Sequence, residues 1–189
     1  MMPEGSEELT TTFAHASSTE PPARIRHHTL ALLVENEFGV LARIAGLFSG
    51  RGYNIQSLAV AETNDATLSR MTIVTSGTDQ VIEQIIKQLR KLINIIKVTD
   101  LTEMPFIDRE LALVKVSADE GAKRDEILRA CVIFKARVVD ASKNAYVIEI
   151  AGEAQKIDSC LQMLEPLGIL EIVRTGTIAI ARGDRIDTV

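Results

Sequence analysis

His15 and the adjacent His27-His28 are the only imidazoles in these 189 residues, and that scarcity limits the chemistry the chain can perform. Nucleophilic catalysis needs a Ser, Cys or Lys beside a base, and a third group to orient the base. His15 sits in a polar amino-terminal stretch and His27-His28 where the first apolar run begins, so no such constellation can be assembled and no catalytic residue is assigned. With neither a CxxC nor an HExxH pattern, three histidines are too few for a structural zinc site, and no metal ligand is assigned either. Cys131 and Cys160 fall on apolar faces of helical patterns and read as small buried hydrophobes with reduced thiols. The carboxylate pairs Glu7-Glu8 and Asp119-Glu120 lie in polar, turn-like surroundings and read as solvated surface.

Two groups of residues could still cradle a ligand. Gly46, Gly50 and Gly52 suggest a phosphate loop, but they lie within and after a helical pattern rather than before one, and Ile55 stands where a dinucleotide fingerprint needs its third glycine. They read as helix termination. The stretch Glu35-Asn36-Glu37-Phe38-Gly39-Val40 is different, because it joins a strand to the start of a helix. Free backbone N–H groups and the positive end of the helix dipole collect there, which suits a carboxylate. Asn36 can donate and accept, and Gly39 lets a ligand approach the backbone. A helix cap and a turn glycine explain the same residues structurally.

The elements that must position this turn follow from periodicity. Residues 29–35 (TLALLVE) make a strand, and Val40, Leu41, Ile44, Leu47 and Phe48 a helical stripe. Residues 55–62 and 68–76 are a strand pair around the polar Thr63-Asn64-Asp65-Ala66. Val81, Ile82, Ile85, Ile86 and Leu89 form a second helix capped by Thr78 or Asp79, and residues 93–101 a fourth strand. After a connection at residues 102–108 the order restarts: strand 110–117, helix 123–134, strands 136–141 and 145–151, helix 153–165, strand 169–174. Leu30-Ala31-Leu32 recurs as Leu111-Ala112-Leu113, an offset of 81 that points to duplication. The expected class is α+β, two ferredoxin-like βαββαβ domains in tandem, with both helices of each on one sheet face. The other face needs a cover, from the sister domain or a second subunit, so a dimer is expected.

Composition narrows the partners. Net charge is −5, and no run of Lys and Arg forms a phosphate-binding stripe, which disfavours nucleic acid and anionic membrane. No stretch of 18 apolar residues and no signal peptide is evident, so a cytoplasmic location is expected. An RNA-recognition module shares the βαββαβ order, but it stacks bases on aromatic residues of its central strands, and Ser69-Arg70-Met71-Thr72-Ile73-Val74 has none.

The string LVENEFGVLARIAGLFSGRGYNIQSLAVAET, followed by LSRMTIV and IKQLRKLINIIKV, closely resembles the amino-terminal ACT domain of acetohydroxyacid synthase (acetolactate synthase) small, regulatory subunits. RELALVKV and RTGTIAIARGD resemble that family's carboxy-terminal domain, so the likeness spans residues 28 to 183. Residues 1–25 are polar, Pro-containing and without an apolar period and read as a disordered tail, Met104-Pro105 suggests a linker at 104–109, and the likeness implies an ACT effector-binding domain over 26–103 and a carboxy-terminal ferredoxin-like domain over 110–183, with a tail at 184–189. It also implies a homodimer whose ACT domains lie side by side with a branched-chain amino acid, valine foremost, between them. Asn36, Gly39 and Val40, with Asn54 and Ile55 from RGYNI, would line that effector site. The implied partner is the catalytic large subunit, which would carry thiamine diphosphate, Mg²⁺ and FAD, leaving this chain without a cofactor. Phe38 and Ala42 depart from residues common among relatives and bear on which branched-chain amino acid fits. The alternative, a stand-alone amino-acid-sensing or transcriptional ACT protein, calls for a helix-turn-helix or basic patch, and neither is visible.

Overall fold

The computed structural model describes residues 24–119 and 121–184; the expected tails, apart from residues 24, 25 and 184, lie outside the described residues. The first unit runs β1 (Arg26–Glu35), α1 (Val40–Gly50), β2 (Ile55–Glu62), β3 (Leu68–Gly77), α2 (Asp79–Leu89) and β4 (Ile95–Asp100). A 3-10 turn, Leu101–Glu103, leads into β5 (Phe106–Ser117), which opens the second unit. There follow α3 (Gly121–Phe134), β6 (Arg137–Ala141), β7 (Ala145–Gly152), α4 (Ala154–Gly168), β8 (Ile169–Arg174) and β9 (Ile178–Ala181). The sheets are ordered β2-β3-β1-β4 and β6-β7-β5-β8, all pairs antiparallel. This is the ferredoxin-like arrangement, twice over.

Alternation along each central strand explains why the helices stay on one face. Leu30, Leu32 and Val34 of β1 point into a core with Val40, Ile44 and Phe48 of α1 and Ile82, Ile85 and Leu89 of α2. In the second unit Ala112, Val114 and Val116 of β5 meet Ile127, Ala130 and Cys131 of α3 and Ile157, Cys160 and Leu164 of α4. Both cysteines are free and buried, as their apolar setting suggested, and burial pushes the Cys160 thiol up to about 11.

The duplication is visible in the irregularities as well as the elements. A bulge interrupts β1–β4 pairing between Leu33 and Val34, and another interrupts β5–β8 pairing between Lys115 and Val116. The offset of 81 holds from α1, starting at 40, to α3, starting at 121, but β4 starts at 95 and β8 at 169, an offset of 74. The shortening has a local cause. Strand β6 is 5 residues where β2 is 8, and Ser142 closes the β6–β7 turn through its N–H and Oγ on Ala145 O, at 2.9 and 2.8 Å.

The end of the chain corrects the sequence reading twice. Residues 104–109 are not a free linker, because β5 begins at Phe106 and its first four residues pair with β9, a strand that periodicity did not reveal. The N–H of Arg182 donates to Pro105 O at 3.0 Å, closing that ladder. Strand β9 then lies on the open face of the first sheet: Ala179 and Ala181 pack with Ala31 and Leu101, and partly with Met104 and Phe106. The N–H groups of Thr177 and Ala179 donate to Ser57 Oγ (2.8 Å) and Thr72 Oγ1 (3.4 Å). Gly176 fits the crossing because it has φ +79° and a Cβ there would stand 2.9 Å from Ser57 Oγ and 3.0 Å from Leu58 O. The sister unit thus supplies part of the cover that the open face requires.

One ion pair fixes the second unit's outer strand. Arg174 donates from Nε and Nη2 to both oxygens of the buried Glu110, at 2.7 and 2.8 Å, and from Nη1 to Asp158 at 2.8 Å. The two carboxylates raise the arginine's pKa further. Arg174→Ala would leave Glu110 buried and uncompensated; since the arginine is one-third exposed, a loss of about 1–3 kcal/mol is expected rather than the full cost of a buried pair. Urea denaturation of the two proteins measures it, and an unchanged midpoint would show that water replaces the guanidinium.

Candidate functional site

The turn singled out in the sequence is formed by residues that cannot continue a strand. After Glu35 the chain is held by Asn36 N–H donating to Thr67 O (2.7 Å), and the Asn36 side chain donates to Ala66 O (2.9 Å) and Glu62 Oε1 (3.0 Å). These bonds tie the end of β1 to the β2–β3 hairpin. They also commit both amide hydrogens of Asn36, leaving its Oδ1 as the atom free to accept from a ligand ammonium. Gly39 then takes φ +83°, the left-handed conformation, directly before α1.

No side chain caps this helix. The Val40 N–H reaches Glu37 O at 3.5 Å, those of Leu41 and Ala42 have no carbonyl partner among the described residues, and the Arg43 N–H finds Gly39 O at 2.9 Å. A Cβ placed on Gly39 would meet nothing within 4 Å, so the helix terminus is open as well as electropositive. Val40 is buried beneath the turn and Phe38 projects fully into solvent. Backbone N–H groups at such an open helix end are suited to a carboxylate.

Behind the turn stands a residue that sequence reasoning missed. Asn94, in the otherwise apolar run Leu92-Ile93-Asn94-Ile95-Ile96, is buried. Its Nδ2 donates to Glu35 (2.6 Å) and Glu37 (3.1 Å), its O accepts the Glu35 N–H (3.0 Å), and its Oδ1 accepts from Arg43. It holds the end of β1, the turn and α1 together. A lone polar residue inside an aliphatic stretch was the available signal.

Asn54 and Ile55 are elsewhere. Ile55 pairs with Thr75, whose Oγ1 donates to Asn54 O at 2.7 Å, whereas Glu62, at the Asn36 end, pairs with Ser69. The length of β2 separates the two groups, roughly 23 Å for seven strand steps. Within one chain the structure therefore brings Asn36, Gly39 and Val40 together and leaves Asn54 and Ile55 at the opposite end of the sheet. A large cavity of about 890 Å³ lies between the two units, lined among others by His27, Gln56, Ser57, Glu110, Asp158 and Arg174. It contains none of the five expected residues, and its Arg174 is already bonded to Glu110 and Asp158. Counting histidines also overlooked the company His28 keeps: folding sets it beside Asp100 and Glu103.

The ferredoxin-like fold and the open turn at the end of its first strand fit an ACT-domain protein. Residues 30–97 match the family model described as the AHAS small subunit-like ACT domain, and residues 109–183 the one described as the small subunit of acetolactate synthase. The chain is 50% identical over 159 residues to the acetolactate synthase small subunit of Aquifex aeolicus, covering 84% of this chain and 83% of that one. To the small subunit of Mycolicibacterium smegmatis it is 50% identical over 158 residues, covering 84% and 92%. The crystal structure of the small subunit from Thermotoga maritima superposes with a TM-score of 0.76 at 39% identity, covering 85% of this chain and 99% of that one. The chain belongs to the acetolactate synthase small-subunit family. Among the described residues, no helix is long and apolar enough to cross a membrane.

Proposed function

We propose that this chain is a regulatory subunit that joins a separate catalytic subunit of acetolactate synthase in the cytoplasm, raises its turnover, and makes it subject to feedback inhibition by valine or a related branched-chain amino acid. The observation that carries the reading is the uncapped N-terminus of α1 behind the left-handed Gly39, in a chain half identical to acetolactate synthase small subunits. The effector's carboxylate would dock on the N–H groups of α1, and Asn36 Oδ1 would accept from its ammonium group.

The site is completed by a second copy. Among the described residues, strand β2 is an edge, paired only with β3. Two such edges meeting antiparallel about a two-fold axis set the start of one β2 against the end of the other. Glu62, at that end, is already bonded to Asn36. The partner's Asn54 and Ile55 would thereby reach the Asn36–Val40 turn, one supplying a polar group and the other an apolar wall for a branched side chain. Val60 of this edge strand, exposed in the single chain, would be covered by the same pairing.

In this reading the thiamine diphosphate, Mg²⁺ and FAD belong to the catalytic subunit, and this chain adds control rather than chemistry. The purified chain should form no acetolactate from pyruvate. Added to its catalytic partner, it should raise turnover, and valine should lower the raised rate. Acetolactate formation by this chain alone, or a partner indifferent to it, would refute the assignment.

A further inference from the structure

We propose that His28 Nε2 and the carboxylates of Asp79 and Glu103, with Asp100 orienting the imidazole, form a binding site for a divalent transition-metal ion of the zinc class. His28 is 98% buried in β1, where Nδ1 lies 2.8 Å from Asp100 Oδ2. An ionised carboxylate only accepts, so Nδ1 donates to Asp100, and in that tautomer of the neutral ring Nε2 is the nitrogen that offers a lone pair. Nε2 is sealed from solvent and has no hydrogen-bond partner among the described residues, which in a folded interior calls for an explanation. A histidine that gives one N–H to a carboxylate and turns the other nitrogen toward further acids is arranged as metal-binding histidines are. Asp100 is itself held in place, its Oδ1 accepting from Thr102 N–H at 2.9 Å.

Distances and charge agree with this. One donor atom from each of His28, Asp100 and Glu103 lies within 4.8 Å of the other two, and Asp79 Oδ1 stands 3.7 Å from Nε2. Two ligands of one zinc ion, each at ~2.0–2.2 Å, stand roughly 3.4 Å apart, so small side-chain movements close the shell. Asp79 and Glu103 are exposed enough to make them. The carboxylates of Asp79 and Glu103 face the guanidinium of Arg26, which donates to Asp79 at 2.6 Å and Glu103 at 3.4 Å. Arg26 therefore acts as the resident cation that a metal displaces. One imidazole with carboxylate oxygens suits zinc, cobalt or nickel better than calcium or magnesium. The bound ion would clamp β1, the N-terminus of α2 and the 3-10 turn that leads into the second unit, bracing the joint between them.

The test is titration of the full chain, stripped with chelator, with ZnCl2 by calorimetry and with CoCl2 by visible absorption. One ion per chain is expected. Glu103→Gln and His28→Gln should each weaken binding at least ~10-fold, Arg26→Ala should tighten it, and His27→Gln should leave it unchanged. Glu103 is at the surface, so its variant reads the site without threatening the fold. The proposal is overturned if the wild-type chain binds no zinc, if Glu103→Gln and His28→Gln bind it undiminished, or if Arg26→Ala does not tighten it. Thiolate-to-cobalt absorption would place the ion on Cys131 or Cys160 and overturn it equally.

Discussion

Replacing Gly39 with aspartate should release the reconstituted acetolactate synthase from valine while leaving it activated. The backbone at Gly39 has φ +83°, which costs most side chains, but aspartate is among the residues that tolerate this region. Nothing within 4 Å obstructs a Cβ. The domain should therefore fold, with a carboxylate fixed over the N–H groups that the effector's own carboxylate needs. Allosteric coupling amounts to about 1–3 kcal/mol, and a hydrogen bond to a charged group to about 1.5–3 kcal/mol, so one lost bond removes most of the response. The inhibitory valine concentration should rise at least ~10-fold. Inhibition at an unaltered concentration would move the site away from Asn36–Val40, and loss of activation together with inhibition would give the turn a role in assembly instead.

The largest effect on stability is expected from Phe48→Ala. This ring is fully buried in the first core at the end of α1 and meets Tyr53 edge-on, with centroids 6.2 Å apart. Truncation empties the centre of the α1 side of the core, at a cost of ~3–5 kcal/mol. For a chain of this length that lowers the melting temperature by roughly 6–20 °C. A melting curve of the purified variant decides it. A shift of only a degree or two would mean that α1 collapses onto the gap.

Much of this fold was legible in the sequence because each element has one buried face. The stripe through Ile82, Ile85 and Leu89 and the alternation of Leu30, Leu32 and Val34 state which residues must meet, and the structure brings them into one core. Strand β9 was not legible, since Ile178-Ala179-Ile180-Ala181 is four residues long and is created by pairing with Phe106–Arg109, some 70 positions earlier. Ile93, read as strand, is left exposed because the buried Asn94 must turn its amide toward Glu35 and Glu37. The nearness of His28 to Asp100, 72 positions apart, is likewise tertiary. The turn at Asn36–Val40 was legible because a strand end, a glycine and a helix start are local events. Its relation to Asn54 and Ile55 was not, because within one chain those residues stand at the far end of the sheet.

That separation supplies the most direct test of the central claim, a regulatory site shared between two copies. Gly39→Asp chains and Asn54→Ala chains should each, as pure dimers, bind valine poorly by calorimetry. Unfolded together and refolded as mixed dimers, they should recover one good site per dimer, formed by the intact turn of one chain and the intact Asn54 of the other. Mixed dimers that bind no better than either parent would contradict the account, since a site contained within a single chain stays damaged in every combination.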